Sequence, residues 1–195
     1  MHDTTCIDDV RKNDILNIRF ISGNRIYLRP LIEADVDGPY PTWLNDEEVC
    51  QGTSHHTYPY TRRDALDYVQ QANHTSRALI LAIVLQEKHL HIGNIALQQI
   101  NWVYRTADLA ILLGDKSQWR KGYGLEAGRL LLVHGFIKLN LNRITCATYE
   151  NNTGMIKLAL SLGMKQEGIR RQAAYKSGQY LDIIEFGLLR KEAEF

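Results

Sequence analysis

The sequence predicts a single α/β domain in which helices cover both faces of a β-sheet. Residues 78–85, ALILAIVL, form an unbroken apolar run of strand length, which is typical of a strand that is buried on both faces. Residues 106–124 predict a strand, a glycine-containing turn and the beginning of a helix. The apolar spacing of one helix face recurs at Ala65, Tyr68, Val69 and Ala72.

Composition excludes several classes of protein. The chain has 195 residues, of which 45% are hydrophobic and 23% charged, and this balance is common in globular proteins with one core. The net charge of +1 argues against a polyanion-binding surface, so we expect no nucleic-acid partner. No apolar stretch reaches the roughly 18 residues of a membrane span, and we expect no membrane partner.

Cysteine usage suggests a reducing compartment. Cys6, Cys50 and Cys146 lie far apart and form no CxxC pair, so we expect a cytoplasmic protein without disulfides. Cys146 falls in an apolar strand and is expected to be a core residue.

The first half of the domain combines strands with one irregular segment. We divide the chain into an N-terminal extension, residues 1–24, and a domain, residues 25–195. A strand is predicted over 25–31, and a helix broken by glycine and proline over 33–46. Thr61 and Asp64 have the spacing of a capping box at the beginning of the next helix.

The second half alternates strands and helices. Strands are expected over 91–100 and 106–113, with a turn near Tyr104, and a helix over 122–139. A helix that contains Met155 ends at Gly163. The remaining predicted strands are 143–148, a strand entering the turn at 176–178, and 180–189.

The turn before the helix at 122 has the composition of an anion site. Backbone N–H groups are unpaired at the beginning of a helix, and the helix dipole adds positive potential there. Gly122 and Gly124 would let a phosphate approach the backbone closely. The third glycine of a dinucleotide fingerprint is replaced by Ala127. Alone, the pattern fits a plain strand-to-helix turn equally well.

An ordered set of motifs resembles the GNAT superfamily of N-acetyltransferases, in the branch of RimJ, RimL and many bacterial sugar N-acetyltransferases. The resemblance covers roughly residues 25–190. The motifs are 107–113 (ADLAILL), 119–127 (WRKGYGLEA), 141–144 (LNRI), 150–153 (ENNT), 167–169 (EGI) and 177–182 (SGQYLD).

The resemblance implies a mixed, strongly twisted sheet of about seven strands, flanked by helices and split in the middle for CoA. Acetyl-CoA is then the co-substrate. No metal is expected, because His55, His56, His89 and His91 lack ligand partners at metal spacing and are predicted in loops and edge strands. The cofactor residues that the resemblance implies are Ile111, Leu112, Leu113, Trp119, Arg120, Lys121, Gly122, Tyr123, Gly124 and Asn152.

The chain departs from the family pattern at two positions. Trp119 stands where Gln or Arg is usual, and Ala159 stands where many relatives have a tyrosine that protonates the leaving thiolate. Asp108 is the first candidate for the catalytic base, with a surface or salt-bridged aspartate as the alternative. Glu126, in the first turn of its helix, is interpreted as mainly structural.

The acceptor is expected to be the primary amine of an amino sugar or other small molecule. A protein N-terminus is the alternative, and a CoA-binding sensor domain that has lost catalysis is a third hypothesis. The acceptor-binding candidates are Trp43, Asn45, Tyr60 and Tyr175, although Trp43 fits a core position equally well. A homodimer is left open.

Overall fold

The computed structural model describes residues 18–194 and, within them, eight strands in one mixed sheet. The strands are β1 (Ile21–Ser22), β2 (Ile26–Pro30), β3 (Leu79–Leu85), β4 (His91–Asn101), β5 (Thr106–Leu113), β6 (Arg143–Tyr149), β7 (Lys165–Lys176) and β8 (Gln179–Leu189). Their order is β1-β2-β3-β4-β5-β6-β8-β7. The predicted mixed sheet of about seven strands is confirmed; the eighth strand is β1, which is too short to show a periodic pattern.

The N-terminal edge of the sheet includes part of the segment interpreted as an extension. Ile21 and Ser22 pair with Leu28 and Tyr27 of β2, and the N–H of Gly23 donates to Ile26 across the turn at 2.9 Å. Residues 1–17 of the predicted extension lie outside the described residues.

The sheet splits between β5 and β6, as expected. These strands are parallel and pair only over Thr106–Asp108 and Arg143–Thr145, whereas every other neighbouring pair is antiparallel. Beyond the pairing, β5 continues along β4 and β6 continues along β8. We call the wedge-shaped opening between the two strands the split.

Four α-helices cover the described part of the sheet: α1 (Tyr40–Trp43), α2 (Arg62–Ala72), α3 (Tyr123–Val133) and α4 (Thr153–Ser161). The predicted capping box at α2 is confirmed, because Thr61 and Asp64 bond each other's backbone N–H groups. The predicted break before α1 is confirmed by a separate 3-10 turn at Glu33–Asp37. None of these helices is long and apolar enough to cross a bilayer.

The helix predicted over 122–139 changes form after Val133. Residues His134–Lys138 make a π-helical turn. A Cβ on Gly135 would lie 2.9 Å from Ile144 Cδ1 and 3.0 Å from Leu97 Cδ1. The wider turn therefore occurs where the helix backbone lies directly on the sheet, a contact that hydrophobic periodicity does not reveal.

Two apolar clusters occupy the two faces of the sheet. The larger cluster includes Leu131 of α3 and Ala159 of α4, with Ile111 and Leu113 of β5 packed against it. The second cluster packs beneath α1 and α2, and Leu112 faces it. Cys146 is in the larger cluster, as predicted for a core residue, and burial, followed by the charge of Asp108, raises the pKa of its thiol to about 12.

A buried ion network joins β2, β4 and the Glu33–Asp37 turn. Arg29 donates two hydrogen bonds to the Asp35 carboxylate, at 2.8 and 2.6 Å. His91 Nδ1 lies 3.3 Å from Asp35 Oδ1. The expectation that His91 lies in a loop or edge strand was wrong, since β4 is an inner strand. Burial would raise the pKa of Asp35, but the bonds to Arg29 and His91 hold it well below its ordinary value.

Replacing Asp35 with asparagine should lower the free energy of unfolding by about 3–5 kcal/mol at pH 7, because it leaves a buried guanidinium without its counterion. The pKa of Asp35 is lower in the folded state, so its stabilisation is complete above the unfolded pKa of about 3.9 and is lost as pH falls through the folded pKa. Urea unfolding should show the difference between wild type and Asp35→Asn shrinking below about pH 4.

Asp37 supplies the matched control in the same turn. Its ion pair with Arg62 is exposed, with side-chain exposures of 65% and 62%. Asp37→Asn should change stability by less than about 1 kcal/mol. Equal losses in the two variants would contradict a buried-charge explanation.

Candidate functional site

The segment from β5 to α3 leaves a row of amide groups without protein partners. After a 3-10 turn at Lys116–Gln118, the chain reverses through Arg120, with φ +59°, and Gly122, with φ +83°. Within residues 18–194, no hydrogen bond from the N–H groups of residues 120–124 to a protein acceptor is found. Unpaired N–H groups at the beginning of α3 give this turn the chemistry of an anion site.

Glu126 fastens this turn to the beginning of β2. Its carboxylate accepts from the Arg25 N–H at 2.8 Å, from Arg25 Nε at 3.0 Å and from the Ile26 N–H at 3.4 Å. Burial would raise the pKa of Glu126, but these bonds hold it below its ordinary value. The contacts support the structural interpretation of Glu126, since both of its oxygens are occupied.

Trp119 fastens the same turn to the end of β5. Its indole Nε1 donates to the Leu113 carbonyl at 2.8 Å, and its ring packs against the second cluster. The tryptophan that replaces the usual Gln or Arg therefore holds the backbone of the turn in place.

The outer edge of β5 presents backbone groups to the split. Gly114 N–H donates to Ile92 O of the neighbouring strand β4 at 3.0 Å. Because backbone groups alternate sides along a strand, the N–H and C=O of Ile111 and Leu113 point away from β4. Neither residue pairs with β6, and the Leu113 carbonyl accepts a hydrogen bond from the Trp119 indole. The groups of Ile111 thus face the split, whereas those of Leu112 face β4.

Asn152 lies on the other side of the split, after β6. Its side chain caps α4 by accepting from the Met155 N–H at 3.1 Å. It also donates to Thr148 Oγ1 at 2.9 Å and to the Gly52 carbonyl at 3.3 Å. The capping role is thus observed, and contact with the cofactor stays a prediction.

Three of the four acceptor candidates lie near one another. Trp43 is 5% exposed and packs against His91 at a ring distance of 5.0 Å, which places it in the core. Asn45 bonds the backbone of Tyr60 in both directions, at 2.6 and 2.8 Å, so it holds the loop. Tyr175 lies on the β7–β8 hairpin, 64% exposed and in edge-to-face contact with Tyr180.

An acidic cleft of about 480 Å³ lies between the loop after α1 and the β7–β8 turn. Lys116 pairs with Asp46 at 2.8 Å and with Glu48 at 3.0 Å, which joins the cleft wall to the segment after β5. The hydrogen bond from Lys116 lowers the pKa of Asp46. The sequence prediction of an acceptor-side segment included Asp46 but did not select Glu47 or Glu48 as binding residues, although the run Asp-Glu-Glu was visible. The lining residues are Asp46, Glu47, Glu48, Gln51, Lys176 and Ser177.

Asp108 lies where the split closes. Its carboxylate accepts a hydrogen bond from the Thr145 hydroxyl, and these two residues form the last pair between β5 and β6. By strand alternation, Asp108 and Leu112 leave β5 on the same face, the face of α1 and α2. Asp108 is therefore a hydrogen-bonded aspartate without an ion pair among the described residues.

Position 159 supplies no proton donor for a leaving thiolate, because the methyl group of Ala159 has no ionisable proton; the residue is fully buried. Tyr123 stacks under Arg25 at 4.8 Å, beside the turn. Tyr149 follows Thr145 by four residues on β6, so its side chain leaves on the face that carries the bond to Asp108. Burial raises the pKa of Tyr149. Sequence reasoning had not selected this tyrosine.

Within residues 18–194, no group of three or more His, Cys, Asp or Glu side chains is placed to hold a metal ion.

Comparison with known proteins shows the family. A family model described as "Acetyltransferase (GNAT) domain" matches residues 25–165. The chain is also 30% identical over 172 residues to an uncharacterized N-acetyltransferase, p20, of Bacillus licheniformis, covering 86% of this chain and 94% of that protein. The chain belongs to the GNAT acetyltransferase family and is an N-acetyltransferase by class.

Solved structures share the fold. A spermidine N-acetyltransferase from Vibrio cholerae in complex with CoA and spermine has a TM-score of 0.80 at 19% identity, covering 87% of this chain and 98% of that one. RimL, a ribosomal L7/L12 α-N-protein acetyltransferase in complex with CoA, has a TM-score of 0.77 at 18% identity, covering 86% and 95%. At these identities the likeness shows the fold alone.

Replacing Gly122 with valine should weaken CoA binding at least tenfold, because the turn needs the positive φ of +83° and a branched side chain would enter the anion site. Calorimetry with CoA measures the change. Gly178→Val is the matched control, since Gly178 has φ +82° and no neighbour within 4 Å among the described residues. Unchanged CoA affinity in folded Gly122→Val would refute the assigned turn.

Proposed function

We propose that this protein transfers an acetyl group from acetyl-CoA to the primary amine of a small cationic molecule, such as an amino sugar. The observation that carries the proposal is the acidic cleft next to the segment after β5. Asp46, Glu47 and Glu48 contribute three carboxylates to its lining, against two cations, Lys176 in the lining and Lys116, which pairs with Asp46 and Glu48. Such a lining attracts an ammonium group and leaves room for a small molecule.

The cofactor side of the proposal rests on features that fit CoA. The amides of residues 120–124 suit its pyrophosphate, and the backbone groups of Ile111 suit the amide-containing pantetheine arm. Asn152 caps α4 at the opposite side of the split, and we assign it a contact with that arm. Acetyl-CoA would supply the activated acetyl group as a thioester.

Asp108 is the proposed base. In the reaction, the amine nitrogen attacks the thioester carbon, the carbon–sulfur bond breaks, the CoA thiolate leaves and is protonated by water, and the nitrogen loses a proton. A base must reach that proton directly or through one water. Asp108 supports this role because it leaves β5 on the face of α1, the helix whose following loop lines the acidic cleft. The Thr145 hydroxyl fixes the orientation of the carboxylate.

Acetyl transfer to a panel of amines tests the proposal, with release of CoA thiol as the measurement. We expect turnover with small cationic amines and little turnover with peptides bearing a free N-terminus. Preference for peptides would favour the protein N-terminal activity instead. Binding of CoA without turnover on any amine would favour a sensor domain.

The acidic cleft itself is tested by Glu47→Gln. Glu47 lines the cleft and, among the described residues, makes no ion pair. The KM for the amine should rise several-fold because an exposed charge contributes about 0.2–1 kcal/mol, whereas the KM for acetyl-CoA should not change. Glu87→Gln, an exposed change outside the cleft, is the matched control. Equal effects of both variants on the KM for the amine would contradict the assignment of the cleft.

Asp108→Asn should lower kcat more than it raises the KM for acetyl-CoA, because a lost base acts on the chemical step. Turnover is measured from pH 6 to 9 with saturating amine. Thr145→Val, which removes only the hydroxyl that orients the carboxylate, should cause a smaller loss. Wild-type kcat across the whole range in Asp108→Asn would make Asp108 structural and leave the proton to water.

A further inference from the structure

Arg25 places a guanidinium beside the glycine turn from a distant part of the chain. Its Nε donates to Glu126 at 3.0 Å, its Nη1 donates to the Lys121 carbonyl at 2.8 Å, and its Cζ lies 4.8 Å from the centre of the Tyr123 ring. These contacts hold the side chain on three sides. The guanidinium is thus ordered before any ligand arrives.

The third nitrogen of this guanidinium borders the open side of the turn. Within residues 18–194, Nη2 of Arg25 donates to no acceptor. A Cβ added to Gly122 would meet Nη2 at 3.3 Å and no other described atom within 4 Å outside its chain neighbours. The space next to Gly122 is therefore open to a ligand and is bordered by a free N–H donor.

The ion pair with Glu126 does not use all the N–H donors of the Arg25 side chain. Glu126 is 16% exposed, whereas Arg25 is 51% exposed, so the charged end of Arg25 reaches beyond the contact that fastens the turn. Glu126 would still bond the Arg25 and Ile26 backbone N–H groups without this side chain. The structural contacts use Nε and Nη1 and leave Nη2 for another partner.

We infer that Arg25 binds a phosphate group of CoA through Nη2, in addition to the backbone amides of residues 120–124. This inference rests on the proposed function, since it extends the cofactor site. A guanidinium is well suited to phosphate oxygens because its donors are fixed in one plane and always charged. Holding it in place beforehand reduces the entropy lost on binding. The phosphate is either the pyrophosphate or the 3′-phosphate, which share this chemistry.

Calorimetry with three ligands tests the inference: CoA, 3′-dephospho-CoA, and pantetheine, which has no phosphate. Arg25→Met should weaken CoA binding by about tenfold, as expected for one charge-assisted hydrogen bond, and should leave pantetheine binding unchanged. Arg25→Lys should recover part of the affinity, because lysine restores the positive charge but not the planar set of N–H donors. A loss that persists with 3′-dephospho-CoA supports the pyrophosphate as the partner, and one that disappears supports the 3′-phosphate.

Arg19 supplies a matched control. It is also an arginine stacked on a tyrosine, at 4.9 Å from Tyr27, and it donates to Gln86, so Arg19→Met removes the same charge away from α3. CoA affinity should not change in this variant. Urea midpoints for all variants separate affinity from folding.

Two results would overturn the inference alone: wild-type CoA affinity in Arg25→Met, or an equal loss for pantetheine. A wild-type protein that binds no CoA would instead overturn the proposed function, and this inference with it.

Discussion

The short parallel pairing between β5 and β6 is the constraint on which the site depends. This pairing is flanked by antiparallel pairs and ends at Asp108 and Thr145. Beyond that point β5 stays paired with β4 and β6 stays paired with β8, so β5 and β6 separate. An interior strand edge with unpaired polar groups is costly unless a side chain, water or a ligand satisfies them. Trp119 satisfies one such group, the Leu113 carbonyl, and the groups of Ile111 remain directed into the split.

Electrostatic character differs between the two ends of the candidate site. The glycine turn combines helix amides with the guanidinium of Arg25, which favours negative charge. The cleft contributes three carboxylates. Lys116 lies in the segment between them and pairs with Asp46 and Glu48. An anionic donor and a cationic acceptor would therefore be oriented toward each other by opposite potentials, in addition to any shape selection.

Features that depend on local sequence were predictable. The apolar run at 78–85 became the inner strand β3, and the Thr61 and Asp64 spacing became a real capping box. The glycine turn was visible because strand, glycines and helix follow one another directly. The split was predicted from the family resemblance, because no local sequence pattern indicates where the pairing of two strands ends.

Features that depend on distant pairing were not predictable. His91 was misplaced because the strand order decides which strands are interior, and its partner Asp35 lies on another element. Arg25 and Lys121 are in contact although 96 positions separate them in the sequence, so no local pattern around either residue predicts the contact. The acidic cleft brings together residues as distant in sequence as Asp46 and Ser177. Only the part that contains Asp46, Glu47 and Glu48 is visible in the sequence as a run of charges. Trp119 was visible only as a departure from the family pattern, because sequence alone does not show its hydrogen bond to the Leu113 carbonyl.

The two walls of the candidate site differ in how they are built. Most of the proposed cofactor wall is one continuous segment from β5 through the glycine turn into α3. The proposed acceptor wall consists of two separate loops, joined by a hydrogen bond from Lys176 to the His55 carbonyl at 2.7 Å. Loops accept insertions and substitutions more readily than a strand-turn-helix unit. After a gene duplication, changes in these loops would therefore alter which amine is accepted, whereas the acetyl donor would stay the same.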